Sequence, residues 1–104
     1  MEFMTDVRDG ISIDSNGTSL RGEIRTTRAH LTEVFGEPHV WPEGDKVTLE
    51  WIIQFSDGTI ATIYDWKRYE LGTPDLHEVE DYHIGGNDFT ASLLVKEAME
   101  GKVM

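Results

Sequence analysis

The sequence contains no cysteine, which excludes a disulfide framework, thiolate catalysis and any zinc site built on thiolates. Basic residues are scarce. Nine Lys and Arg stand against twenty Asp and Glu, leaving a formal charge of −11. A field of that sign repels nucleic-acid phosphates and anionic lipid, so direct binding to nucleic acid or membrane is not expected. The chain also lacks an apolar run of membrane-spanning length and a secretory h-region. A soluble protein retained in the cell that makes it is therefore expected. No phosphate-loop or dinucleotide fingerprint appears, and Ser19 and Ser92 have no neighbouring His, so no cofactor and no catalytic residue is assigned.

What is present organises itself around the stretch 46–67, KVTLEWIIQFSDGTIATIYDWK. Asp57-Gly58 suits a two-residue turn between two strands. In that register Phe55 faces Ile60, Ile53 faces Thr62, Trp51 faces Tyr64 and Leu49 faces Trp66, which gathers the large rings on one side of the ribbon. Glu50, Asp65 and Lys67 then occupy the wet side. A rival register makes Ser56-Asp57 a type I turn with Gly58 as a bulge. It puts Phe55 opposite Thr59, moves Ala61, Ile63 and Asp65 to the face of Trp51, and takes Tyr64 and Trp66 away from it. The first register is preferred because it collects more aromatic area on one side.

A length of 104 residues with 38% hydrophobic content fits one packed domain, able to bury roughly two thirds of its unfolded surface. Met1-Glu2-Phe3 before Met4 reads as a cloning scar, and residues 1–10 are expected to form a frayed tail ahead of a single domain at 11–104. Asn16-Gly17 predicts a hairpin between 11–14 and 19–24. Thr26 or Thr27 caps a helix at 28–35 whose stripe is Leu31, Val34 and Phe35, ended by Gly36 and Pro38. A further strand at 80–84 ends at Gly85-Gly86. Asn87 or Asp88 then caps a helix at 89–100 with Ala91, Leu94, Val95 and Ala98 on one face. The expected fold is α+β: a small antiparallel sheet built on the central hairpin, with two helices packed on one face.

Gly17-Thr18-Ser19-Leu20-Arg21-Gly22, Phe35-Gly36-Glu37-Pro38, Glu50-Trp51, Phe55-Ser56-Asp57-Gly58-Thr59, Ala61-Thr62-Ile63-Tyr64-Asp65-Trp66-Lys67 and His83-Ile84-Gly85-Gly86 resemble, in order and spacing, a family of small uncharacterised bacteriophage proteins. The resemblance spans nearly the whole chain after Gly10. Tyr82 stands where that pattern has Trp, and Arg21 where it has Gln. It implies a phage origin, a compact α+β domain and residence in the cytoplasm of a bacterial host, and it carries no activity with it.

Two candidate sites follow. The acids between Glu70 and Asp88 suggest contact with a host protein, a defence or nucleic-acid-processing factor with a basic groove. Asp75, Glu78, Glu80 and Asp81 would make the contact, with Trp41 or Tyr82 as aromatic anchor. Solubility is the plainer reading of the same acidity. The alternative is a small nucleotide-like ligand held by Tyr64, Trp66, Lys67, His83, Gly85 and Gly86, with the two glycines offering N–H groups at a helix start. There the plainer reading is a chain turn beside core aromatics. A metal held by His77, Asp81 and His83 and an acid–base pair of Glu50 with Asp65 are weaker readings. Arg21, Arg25 and Arg28 enclose Glu23, so internal ion pairs are expected there.

Overall fold

The computed structural model describes residues 2–42, 46–66 and 72–101. Nine elements follow one another: β1 (Phe3–Thr5), α1 (Asp6–Asp9), β2 (Ser19–Thr27), α2 (Arg28–Phe35), β3 (His39–Val40), β4 (Leu49–Phe55), β5 (Ile60–Tyr64), β6 (Val79–Gly86) and α3 (Thr90–Met99). The strands form one antiparallel sheet in the order β1-β4-β5-β6-β2, with β3 also paired to β4. This is the expected α+β class, with α2 and α3 covering one face.

Alternation along β4 decides which face. Leu49, Trp51, Ile53 and Phe55 are buried while Glu50, Ile52 and Gln54 are half-buried. The buried set joins Leu31 and Phe35 of α2, Ala91, Leu94, Val95, Ala98 and Met99 of α3, and Ile63, Tyr82 and Ile84 of the sheet. Trp51 meets Tyr82 edge-on at 6.1 Å, and its indole N–H donates to the Gly36 carbonyl at 2.8 Å. That bond ties the centre of the sheet to the C-terminal end of α2, so the largest core side chain buries its one polar atom satisfied.

The hairpin takes the rival register. Trp51 pairs with Ile63 and Glu50 with Tyr64, and Phe55 exchanges bonds around Thr59 and Gly58 (Phe55 N to Thr59 O, 2.8 Å; Gly58 N to Phe55 O, 2.9 Å). Gly58 has φ 91°, and the Asp57 carboxylate accepts from Thr59 N at 2.9 Å. One left-handed glycine with an Asx-type bond closes this turn, whereas the two-residue turn needs positive φ at both central positions. Trp51 and Tyr64 therefore lie on opposite sides of the ribbon. The single aromatic slab expected from the preferred register does not form; Ala61 and Ile63 take the place of Tyr64 in the core.

Asp65 moves with the slip. It is fully buried and accepts from Thr48 N (2.8 Å), Thr48 Oγ1 (2.6 Å) and Leu49 N (2.8 Å). The cross-strand Glu50–Asp65 pair is thus dissolved: the two carboxylates sit on opposite faces.

Three further expectations are corrected. Residues 3–5 are a strand, not a frayed tail: Phe3 pairs with Phe55 and packs on the rings of Phe35 and Phe55 at 5.1 and 5.9 Å, apolar contact a tail would forgo. Residues 11–14 form no strand. The Asn16-Gly17 turn closes locally (Thr18 N to Ser15 O, 3.2 Å), but β2 pairs with distant β6, Glu23 opposite His83 and Ile24 opposite Tyr82. Gly85-Gly86 do not turn the chain. They are the last two residues of β6, with Gly85 opposite Thr62 and Gly86 opposite Ala61.

Candidate functional site

The sheet face away from α2 and α3 carries a row of side chains, one from each strand it crosses. Register places His39 opposite Glu50, Glu50 opposite Tyr64, Tyr64 opposite His83, and His83 opposite Glu23. Opposed residues in antiparallel strands project to the same side, so five chemically active groups line up across β3, β4, β5, β6 and β2. Asp6 extends the row, its carboxylate 2.6 Å from His39 Nε2; at the far end His83 Nε2 lies 3.5 Å from a Glu23 oxygen.

Around the middle of the row the rings converge. Trp66 stacks on His83 (5.8 Å between centroids, 23° between planes). Tyr64 meets both edge-on, at 6.1 Å from Trp66 and 5.5 Å from His83. Beside them opens a cleft of about 230 Å³, walled by Glu50, Thr62, Tyr64 and Trp66 and reaching Ser19 and Gly85. Gly85 keeps that space open: a Cβ would stand 2.5 Å from Thr62 Oγ1 and 3.5 Å from the Tyr64 ring. The missing side chain leaves Thr62 and Tyr64 facing open space.

Burial pushes the Glu50 carboxyl above the ordinary glutamate range, against a hydrogen bond from the Trp41 indole and the neighbouring His39, which pull it down. Burial, and then the Glu50 charge, likewise raise the Tyr64 phenol. Both shifts follow from placing a carboxylate and a phenol against aromatic walls.

A larger depression of about 500 Å³ opens along β1, lined by Phe3, Met4, Arg8 and Phe55. Its cation is committed, since Arg8 bonds Asp9 and the Phe3 carbonyl. Converging polar groups and rings, rather than size, mark the smaller cleft as the candidate site.

Of the alternative ligand set, Tyr64, Trp66, His83 and Gly85 come together. Gly86 is turned to the opposite face under Ala91, and Lys67 lies outside the described residues. The anion cradle expected at the two glycines is absent because both sit inside a paired strand. The partner set is more dispersed. Tyr82 is buried in the core and cannot anchor a partner; alternation sends Glu80 and Asp81 to opposite faces; Asp81 pairs with Arg25 at 3.2 Å; Glu78 is half-buried and Asp75 exposed. Trp41 is 44% exposed, stacked on His39 at 5.7 Å. Among the described residues no three His, Asp or Glu side chains converge as metal ligands, so His77, Asp81 and His83 make no such group. No described helix is long and apolar enough to cross a membrane.

Sequence reasoning missed His39, Thr62 and Glu23 as members of one face and gave Glu50 the wrong neighbour. The signal was the Ser-Asp-Gly turn, which fixes the parity of every residue after it. Compared with known proteins, the chain matches no family model and no curated sequence.

The raised Glu50 carboxyl makes a pH prediction. A folded pKa above the unfolded one means the folded state holds the proton more tightly, so stability contributed here falls as pH rises through that interval. Above it, the ionised half-buried carboxylate is a net cost. Glu50→Gln, which can still accept from Trp41, is expected to raise Tm at neutral pH. The gain should shrink on acidification toward the ordinary glutamate pKa. Thermal denaturation of both proteins between about pH 4 and 8 reads this difference; a gain that grows on acidification contradicts it.

Proposed function

We propose that the chain is a binding protein: a bacteriophage accessory protein that holds and blocks a host protein, a defence or nucleic-acid-processing factor, in the bacterial cytoplasm. The observation that carries this reading is the open sheet face, where Tyr64, Trp66 and His83 are held outside the core beside Glu50. A protein that needed these rings only for stability would bury them. The surface is also strongly acidic, with a formal charge of −11, and so complements a partner whose groove is built for phosphates. A small planar ligand of nucleotide type is the second reading. The ring cluster favours it, although Gly85 and Gly86 offer no cradle for a phosphate.

The test is capture from host lysate by the intact protein, by Tyr64→Ala/Trp66→Ala, and by the charge-reversed Glu78→Lys/Glu80→Lys/Asp81→Lys. A defined host protein is expected on the first, reduced about tenfold or more on the second, and released by rising salt. Equal retention by the ring variant, or salt-insensitive binding, overturns the reading. Stabilisation by a nucleoside or nucleotide in a thermal-shift screen, with no captured protein, supports the second reading instead.

A further inference from the structure

We infer that the outer edge of β2 is an interaction surface for a second copy of this chain, which lays its own β2 antiparallel along it and continues the sheet across a two-fold axis. The pairing does not depend on the host-partner reading.

Hydrogen-bond alternation defines what the edge offers. Asn87 N donates to Ile60 O, in the ladder that sets Thr62 opposite Gly85 and Tyr64 opposite His83. In β6 the odd-numbered residues therefore bond to β5 and the even-numbered ones to β2. β2 pairs Gly22 with Ile84, Ile24 with Tyr82 and Thr26 with Glu80, so those residues turn their main-chain groups inward while Glu23 and Arg25 turn theirs out. β2 ends the sheet, and among the described residues no hydrogen bond reaches the outward N–H and C=O of Glu23 and Arg25. The opposite rim is treated differently. At β1 the outward Thr5 N–H donates to the Asp9 carboxylate at 2.7 Å, and the outward Phe3 carbonyl accepts from Arg8 at 3.1 Å. Side chains of α1 thus close that edge, whereas the β2 edge keeps the open groups that take up another strand.

Charge then selects the occupant and the register. Charged side chains deter edge pairing where they meet their like. An antiparallel partner must match outward groups with outward groups, and setting Glu23 opposite Glu23, or Arg25 opposite Arg25, of the second copy opposes like charges. With Ile24 on the axis, Glu23 of each chain lies opposite Arg25 of the other, and each such pair exchanges both its N–H donors. Opposite charges across strands stabilise, so the order Glu23-Ile24-Arg25 makes the edge complementary to itself. Both side chains keep their intrachain neighbours, His83 at 3.5 Å and Asp81 at 3.2 Å, and at 58% and 66% exposure they reach outward as well. The bulge at Arg21 ends the regular edge, its guanidinium held by the carbonyls of Gly86 and Asn87.

The helical side leaves room. Ile24 borders a groove of about 370 Å³ between β2 and α3, lined also by Thr26, His30, Lys96 and Met99, which can receive Ile24 of the second copy. Each chain carries −11 and repels its like at a distance. Yet Arg21, Arg25, Arg28 and Lys96 lie on β2, at the start of α2 or on this groove, so the two acidic molecules meet where cations gather. The axis stands normal to the sheet, which points both open faces the same way.

Sedimentation velocity of the full chain is expected to show monomer passing to dimer between about 10 μM and 1 mM, a weak range set by the short edge. Amide exchange reads the register: protection of the Glu23 and Arg25 N–H groups should grow with concentration, while Ile24, already bonded to Tyr82, stays as it is. Glu23→Arg and Arg25→Glu each oppose like charges in their own dimers and should weaken association at least about tenfold. Mixed in equal amounts they should recover a one-to-one heterodimer, because each presents the charge the other needs. Such recovery cannot come from a variant that has lost its fold. A chain still monomeric at about 1 mM, variants that associate like the original, or a mixture that stays monomeric overturns the inference. So does association that leaves Glu23 and Arg25 unprotected.

Discussion

Replacing Asp65 by alanine is expected to lower stability by about 3–4 kcal/mol. The carboxylate is fully buried and is the acceptor for two main-chain N–H groups and one hydroxyl, all within 2.8 Å. Alanine removes the acceptor and leaves Thr48 N and Leu49 N in a dry environment, at roughly 1–3 kcal/mol for each orphaned donor. Asp65→Asn should also destabilise, because its amide presents a donor where only acceptors are wanted. Urea denaturation reads both: the midpoint should fall with the slope unchanged. The consequence reaches the cleft, since Asp65 clamps the chain between Tyr64 and Trp66. A loss below about 1 kcal/mol, the worth of one ordinary hydrogen bond, would mean these three bonds do not fasten the entry of β4.

Gly86→Ala is expected to cost roughly 3 kcal/mol by overpacking. The added Cβ would stand 2.3 Å from the Cβ of Ala91 and 3.2 Å from the Ile60 carbonyl, and neither neighbour is a rotor that can swing aside. Either α3 lifts off the sheet or β6 shifts against β5. The neighbouring Gly85→Ala makes a useful contrast, because its nearest obstacle is the Thr62 hydroxyl at 2.5 Å, the end of a side chain that can rotate. It should cost less stability while obstructing the cleft. Gly86→Ala combined with Ala91→Gly should recover part of the loss, the remainder being the helix propensity of glycine, about 1 kcal/mol. If the double variant is no better than the single, the contact between β6 and α3 is not the cause.

The parts of the fold legible from the residues were the local ones. Thr27 does accept from His30 N at 3.1 Å and the helix it begins ends at Phe35, as the stripe of Leu31, Val34 and Phe35 indicated. At α3 the N-cap position is Phe89 rather than Asn87 or Asp88, although Asp88 accepts from Thr90 N at 2.8 Å just ahead of it. Caps and a 3.6-residue period depend on neighbours in sequence, so they can be read there. Strand partners do not. Nothing beside Asn16-Gly17 says that β2 will ignore residues 11–14 and pair 60 positions away, because that choice is made by the burial of Tyr82 and Ile84 under α3. The hairpin register turned on one glycine. Counting aromatic area favoured the wrong side because Tyr64 and Trp66 were assumed to belong to the core. The residues do name Tyr64, Trp66, His83 and Gly85 as one group, but with Tyr64 inside the core Glu50 faces Asp65 and stays outside that group.

The position of β6 has a consequence for how the molecule is made. It lies between β5 and β2, so among the described strands the hairpin on one side and the long strand on the other are joined only through it. Until β6 is made, β2 has no strand partner among the described elements, while the hairpin is already flanked by β1 and β3. Closure then waits for the distant pairing of Ser19 and Ala61 with Gly86, a high-contact-order step that slows folding and leaves unpaired rims open to chaperones or to other nascent chains in the meantime.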